Sequence, residues 1–110
     1  MREDSDLDEI FKQFENWYLN KKIRWEQAGI SVDEAGLSKY GHQYWIKLHS
    51  ECGLGNIILY ESNGYYWVDF ESGNYNCNDI YQKSGIEFEK MSDLNKYETE
   101  FIKIFMKYKN

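Results

Sequence analysis

Apolar positions recur every three to four residues at both ends of this chain and every second residue in its middle. Leu7, Ile10, Phe11, Phe14 and Tyr18 fall on one side of a helix, which predicts a first amphipathic helix over about residues 6–28. Ser5 is placed to cap it, Asp6, Asp8 and Glu9 sit at the favourable end of the helix dipole, and Gly29 is a natural terminator. A second helix follows Ser92 as N-cap and Asp93, with Leu94, Tyr97, Phe101, Ile104, Phe105 and Tyr108 as its apolar stripe. Between the helices the period drops to two. Gln43–Ser50 alternates Tyr44, Ile46 and Leu48 against Trp45, Lys47 and His49. Ile30–Val32, reaching toward Leu37, reads as a short first strand. Asn76–Gln82 and Ile86–Phe88 each read as an edge strand, separated by Lys83-Ser84-Gly85.

The strongest local signal lies between Gly55 and Glu71. Ile57–Ser62 and Tyr65–Phe70 are rich in β-branched and aromatic residues, and Asn63-Gly64 between them suits a two-residue type I′ turn. That turn fixes a register in which Ser62 faces Tyr65, Tyr60 faces Trp67, Leu59 faces Val68 and Ile58 faces Asp69. One face then carries Ile57, Leu59, Val68 and Phe70, an ordinary core. The other carries Ile58, Tyr60, Tyr65, Trp67 and Asp69. A sheet with one wet face normally alternates apolar with polar, so an aromatic outer face calls for a cover or a partner. Cys52-Gly53-Leu54-Gly55-Asn56 reads as the turn into this hairpin, and Ser72-Gly73-Asn74 as its close. The expected architecture is α+β: an antiparallel meander of four or five strands flanked by N- and C-terminal helices, both on one face.

Length and charge narrow the possibilities. A chain of 110 residues makes one domain, residues 1–110, with a single core. Its net charge of −6 argues against a nucleic-acid binder, which needs a basic surface to displace counterions from phosphate. An acidic domain suits a basic protein partner better. Cys52 and Cys77 are too few for a disulfide scaffold and match no metal spacing, the pattern of reduced thiols in a cytoplasmic protein. The first residues lack the apolar run of a secretory signal, and no stretch approaches the roughly 20 apolar residues of a membrane helix.

Catalytic signatures are sparse. His42 and His49 flank a strand and have no ligand cluster around them. Gly53 and Gly55 lack the third glycine and following helix of a dinucleotide loop. No serine occupies a nucleophile elbow. Glu87 and Glu89, alternating outward beside Ile86 and Phe88, suit protection of a sheet edge. No enzyme activity, cofactor or metal is expected. Trp17 and Trp25 belong with the first helix's apolar stripe, whereas Trp45 and Trp67 lie on the open sheet face. The expected partner-binding set is Trp45, Tyr60, Glu61, Tyr65, Trp67, Asp69 and Glu71, aromatic anchors beside carboxylates.

The run Gly55-Asn56-Ile57-Ile58-Leu59-Tyr60-Glu61-Ser62-Asn63-Gly64-Tyr65-Tyr66-Trp67-Val68-Asp69-Phe70, with Phe88-Glu89-Lys90-Met91-Ser92-Asp93-Leu94 leading into a closing helix, resembles the immunity proteins of bacterial contact-dependent growth inhibition and related polymorphic toxin systems. It is similar in particular to tryptophan-rich members whose helix-flanked sheet has been compared with the Whirly single-stranded-DNA-binding fold. The likeness covers residues 43–108, and the first 42 in outline. It implies a cytoplasmic inhibitor that binds the C-terminal domain of a cognate toxin, usually a nuclease; the uncovered aromatic face leaves both a monomer and a weak homodimer open. It carries over no catalytic residue. The Whirly comparison brings in base stacking by Tyr60, Tyr65 and Trp67, but such stacking needs an electropositive groove. The predicted face sets only Lys47 against Asp69 and Glu71. Other acidic interaction modules, such as an adaptor or antitoxin-like regulator, fit the same composition.

Overall fold

The helical and alternating segments resolve, in a computed structural model that describes residues 9–75 and 79–106, into two helices and five strands. In chain order they are α1 (Glu9–Gln27), β1 (Ser31–Leu37), β2 (Gln43–His49), β3 (Gly53–Ser62), β4 (Tyr65–Asn74), β5 (Ile80–Ile86) and α2 (Asn95–Met106). The strands form one antiparallel meander in the order β1-β2-β3-β4-β5. The fold is α+β. The capping residues Ser5, Asp6 and Asp8, together with Cys77 and Tyr108, lie outside the described residues.

The hairpin has the expected register, including Tyr60 opposite Trp67 and Leu59 opposite Val68. Asn63 and Gly64 both take positive φ, 52° and 82°, as a type I′ turn requires. The alternation therefore gives one face wholly to Tyr44, Ile46, Leu48, Ile57, Leu59, Val68 and Phe70, all buried. Both helices cover that face. Phe14 packs edge-on against Tyr44, Trp17 against Phe70, and Phe70 against Phe101, so helices and sheet share one aromatic core. Trp17 and Trp25 are buried, and their indole N–H groups donate to Asn95 and Glu98 of α2, at 2.9 and 2.8 Å. Glu98 is itself buried and also accepts from Arg24, so one carboxylate ties α1 to α2.

Four local expectations are corrected. The Gly53–Asn56 segment is strand, because β3 starts at Gly53, and the turn lies upstream, where Ser50 N–H donates to the Gly53 carbonyl. Gly55 is there to let α2 approach: a Cβ at this position would lie 2.6 Å from the Phe105 ring. Likewise Ser72-Gly73-Asn74 does not close the hairpin but extends β4 to Asn74, with the Asn74 and Ser72 side chains donating to backbone carbonyls of α2. Lys83-Ser84-Gly85 does not separate two edge strands. It lies inside β5 as a bulge, since Phe70 pairs with Lys83 while Val68 pairs with Ile86. Gly85 takes the positive φ of 67° that the bulge needs, and Phe88 falls beyond the strand. Finally, Ser92 is not the cap of the last helix. A 3₁₀ turn at Met91–Leu94 precedes α2, and the Asp93 carboxylate receives the backbone N–H groups of Glu89 and Lys90. Those two bonds hold the Asp93 carboxyl below its usual range.

Candidate partner-binding face

The face of the sheet away from the helices is laid out in rows that follow from the strand pairing. Trp45, Ile58 and Asp69 form one row and Tyr60 with Trp67 the next, toward the hairpin turn. On the other side of the Trp45 row run Glu34, Lys47, Asn56, Glu71 and Gln82. Tyr60 and Trp67 are stacked, with ring centroids 5.4 Å apart and planes 9° from parallel. A stack of this kind contributes about 0.5–1.5 kcal/mol beyond its buried area. Both remain half-buried, and neither helix lies over them. Tyr65, at the hairpin end, is 75% exposed.

The sequence-derived set divides. Tyr60, Tyr65, Trp67, Asp69 and Glu71 come together on β3 and β4. Trp45 shares their face but stands on β2, between Gly36 and Ile58. Glu61 does not join them, because alternation puts it opposite Tyr66 with the helix-side residues. Its carboxylate is taken up at the turn, accepting from Gly64 N–H at 3.0 Å and meeting His42 Nδ1 at 2.8 Å. These bonds hold the Glu61 carboxyl below its ordinary range, the Gly64 N–H foremost.

Charge is distributed unevenly across this sheet. On β1 and β2 each carboxylate meets a basic group: Asp33 lies 2.6 Å from His49 Nδ1 and Glu34 lies 3.5 Å from Lys47 Nζ. The β1 bulge, where one extra residue lies between Val32 and Glu34, is what brings two consecutive acids to these partners. On β4 and β5 the partners are neutral. Asp69 accepts from Gly85 N–H at 2.8 Å, and Glu71 accepts a long bond of 3.4 Å from the Gln82 amide. Burial raises the Tyr60 phenol above its ordinary value, and Asp69 and Glu71 raise it further. Glu87 and Glu89 lie just past β5, and no described Lys, Arg or His pairs with either.

Two clefts flank the aromatic stack. One, of about 90 Å³, is lined by Asn56, Ile58, Tyr60, Asp69, Glu71 and Gln82 among others. The other, wider and shallower at about 490 Å³, runs round the end of the sheet from Tyr65, Trp67, Glu87 and Glu89 to Tyr66, Phe88 and Ile10 of α1. Neither cleft has a cationic residue in its lining. Glu87 and Glu89 thus border the aromatic face, beyond the edge-protecting part read for them from sequence. Asn56 and Gln82 were missed as well. The alternation of Asn56 with Ile57 pointed outward, but Gln82 needed the β5 register, which the bulge hides.

Comparison with protein-family models, with curated proteins and with solved structures returns no significant match to this chain. The site is therefore read from its own chemistry. The two histidines are engaged by separate carboxylates at opposite ends of β2. Among the described residues no three of His, Cys, Asp and Glu gather as a metal-holding group. No described helix is long and apolar enough to cross a membrane. What the face offers is a stacked aromatic pair with carboxylates beside it for which no ion pair is described.

Proposed function

We propose that this protein acts by binding, as an immunity protein that neutralises a cognate secreted bacterial toxin domain, a nuclease being the partner whose basic active site it suits best. The supporting observation is the Tyr60–Trp67 stack beside Asp69 and Glu71, whose described partners are uncharged, with Glu87 and Glu89 in the cleft next to Trp67. Carboxylates without internal cations keep their field for a partner. A nuclease must hold phosphates with Lys and Arg, so an inhibitor carrying acids in the place of phosphates gains both steering and register. Aromatic side chains that are already half-buried and stacked lose little freedom on docking, which is the usual make-up of a hot spot. Such a protein works stoichiometrically in the cytoplasm of the toxin-producing cell and catalyses nothing.

Base stacking on single-stranded DNA is disfavoured by the same charges, since the clefts beside the stack hold carboxylates and no cation. The direct test is co-expression with the protein encoded immediately upstream, followed by co-purification and by growth of cells producing that protein's C-terminal domain. Rescue of growth with one-to-one co-purification is expected. Failure of both, or a salt-sensitive complex with a single-stranded oligonucleotide in their place, overturns the proposal.

A further inference from the structure

Building on the reading that this face receives a basic protein, we infer that the cleft between Tyr60 and Gln82 seats a single arginine side chain of the partner, its guanidinium against Glu71 and Asp69. The cleft, at about 90 Å³, is several times the 10–15 Å³ that one water requires by the same kind of measure. Its lining brings two carboxylates and two side-chain amides together with Tyr60, Ile58, Phe70 and Ser84. Each carboxylate has about four acceptor positions, and internal donors use only part of them. Asp69 is held by Gly85 N–H, which fixes its orientation and leaves capacity to spare. Glu71 is held only by the 3.4 Å bond from Gln82, and it is exposed.

Other occupants fit less well. A divalent metal would want a third ligand of the His, Cys, Asp or Glu type, and none joins the pair among the described residues. A second copy of this chain, docked through the same face about a two-fold axis, would set carboxylates against carboxylates. A lysine supplies the charge, but its compact ammonium is strongly hydrated and has no plane to lay on a ring. A guanidinium is flat, weakly hydrated and able to reach two acceptors at once.

The test uses the intact protein and two defined probes, tri-arginine amide and tri-lysine amide, followed by NMR of the backbone and of the Asn56, Gln82 and Trp67 side-chain N–H groups. Tri-arginine is expected to shift Gly85 N–H and the Gln82 amide saturably. It should bind about fivefold or more tighter than tri-lysine, the scale of one partly exposed charge-assisted hydrogen bond. Glu71→Gln should remove that advantage, while Glu34→Gln, whose carboxylate already pairs with Lys47, should leave it intact. Equal binding of the two peptides, shifts spread evenly over the acidic surface, or equal loss in both variants overturns the arginine seat. The immunity reading is judged separately by co-purification and growth rescue, so a toxin complex without arginine preference sinks the seat alone. Arginine preference without protection sinks the immunity reading alone.

Discussion

The β1–β2 half and the β4–β5 half of the outer sheet face carry similar numbers of acids and treat them in opposite ways. On the first, Asp33 and Glu34 are brought by a bulge to His49 and Lys47, within 2.6 and 3.5 Å. On the second, another bulge brings Gly85 N–H to Asp69, a neutral donor that orients the carboxylate and leaves its charge in place. Exposed ion pairs of the first kind are worth little to stability, about 0–1 kcal/mol. Their larger effect is to cancel field on that side of the sheet. The same backbone device serves both halves, and the difference in partner decides where the molecule is sticky for a cation.

That contrast presupposes one rigid support beneath both halves. Phe101 and Val68 belong to the shared core, and each is wholly buried. Phe101→Ala or Val68→Ala should cost about 2–5 kcal/mol in chemical denaturation, with both halves unfolding in one transition. If hydrogen exchange finds β1 and β2 opening well before β4 and β5, the halves differ in stability and the comparison of their charges loses its footing.

A smaller effect, confined to one half, is expected from the aromatic rings. Trp67→Ala should weaken the proposed complex with a toxin domain by about 2 kcal/mol or more, roughly thirtyfold, mainly by faster dissociation. Trp45→Ala, outside the Tyr60 stack and beside the paired charges, should cost less than about 1 kcal/mol. Equal losses would extend the site across the whole face. An unchanged affinity in a folded Trp67 variant would move it elsewhere on the molecule.

Much of this contrast could be read from the sequence, and the unread part has a definite cause. Asn63-Gly64 fixes the β3–β4 register without reference to the rest of the fold, and register alone sorts Tyr60, Trp67 and Asp69 onto one face. Trp17 and Trp25 followed from helical spacing in the same way. What escaped were the places where glycine does something other than turn. Gly55 makes room for Phe105 within a strand, and Gly85 bends a strand that continues. Both resemble punctuation in a sequence, because the reason for a missing Cβ lies on a helix or strand far along the chain. The neutralising pairs were hidden by the same fact: Asp33 reaches His49 only because β1 carries one residue more than β2 there.

Charge reversal probes the comparison more gently. Glu71→Lys with Glu87→Lys spares the structural bond from Asp69 to Gly85. At low salt the pair should slow association about tenfold and leave dissociation nearly unchanged, with the effect shrinking as ionic strength rises. Asp33→Asn with Glu34→Gln, a change of two charges instead of four and on the other half of the sheet, should slow association less. The double change His42→Ala and His49→Ala should leave protection of the cell intact. A loss of protection in that folded variant would give the histidines a part in function that the binding reading does not include.

The smallest expected effects come from pH, and the two sides of the hairpin should respond at opposite ends of the scale. Tyr60 has its phenol raised above the ordinary 10.0, first by burial and then by Asp69 and Glu71. A raised acid favours the neutral form in the fold, so its contribution is complete below the unfolded value and is lost as pH climbs through the folded one. Glu61 is the reverse case, a carboxyl lowered from 4.5 by Gly64 N–H and then by His42. Its contribution is complete above that value and fades as pH falls through the lowered one. A difference titration at 295 nm between the native protein and Tyr60→Phe should therefore place Tyr60 ionisation above the ordinary tyrosine range. Asp69→Asn should bring it back toward that range, because the coulombic part of the shift goes with the carboxylate. On the acid side, the Gly64 amide resonance should follow Glu61 protonation below pH about 4.5, and Glu61→Gln should abolish that step. If Tyr60 instead ionises at its ordinary pH and ignores Asp69→Asn, then the phenol does not feel that carboxylate. Asp69 would then be freer to receive a partner's cation, and the contrast between the two halves would be sharper than the hydrogen bonds imply.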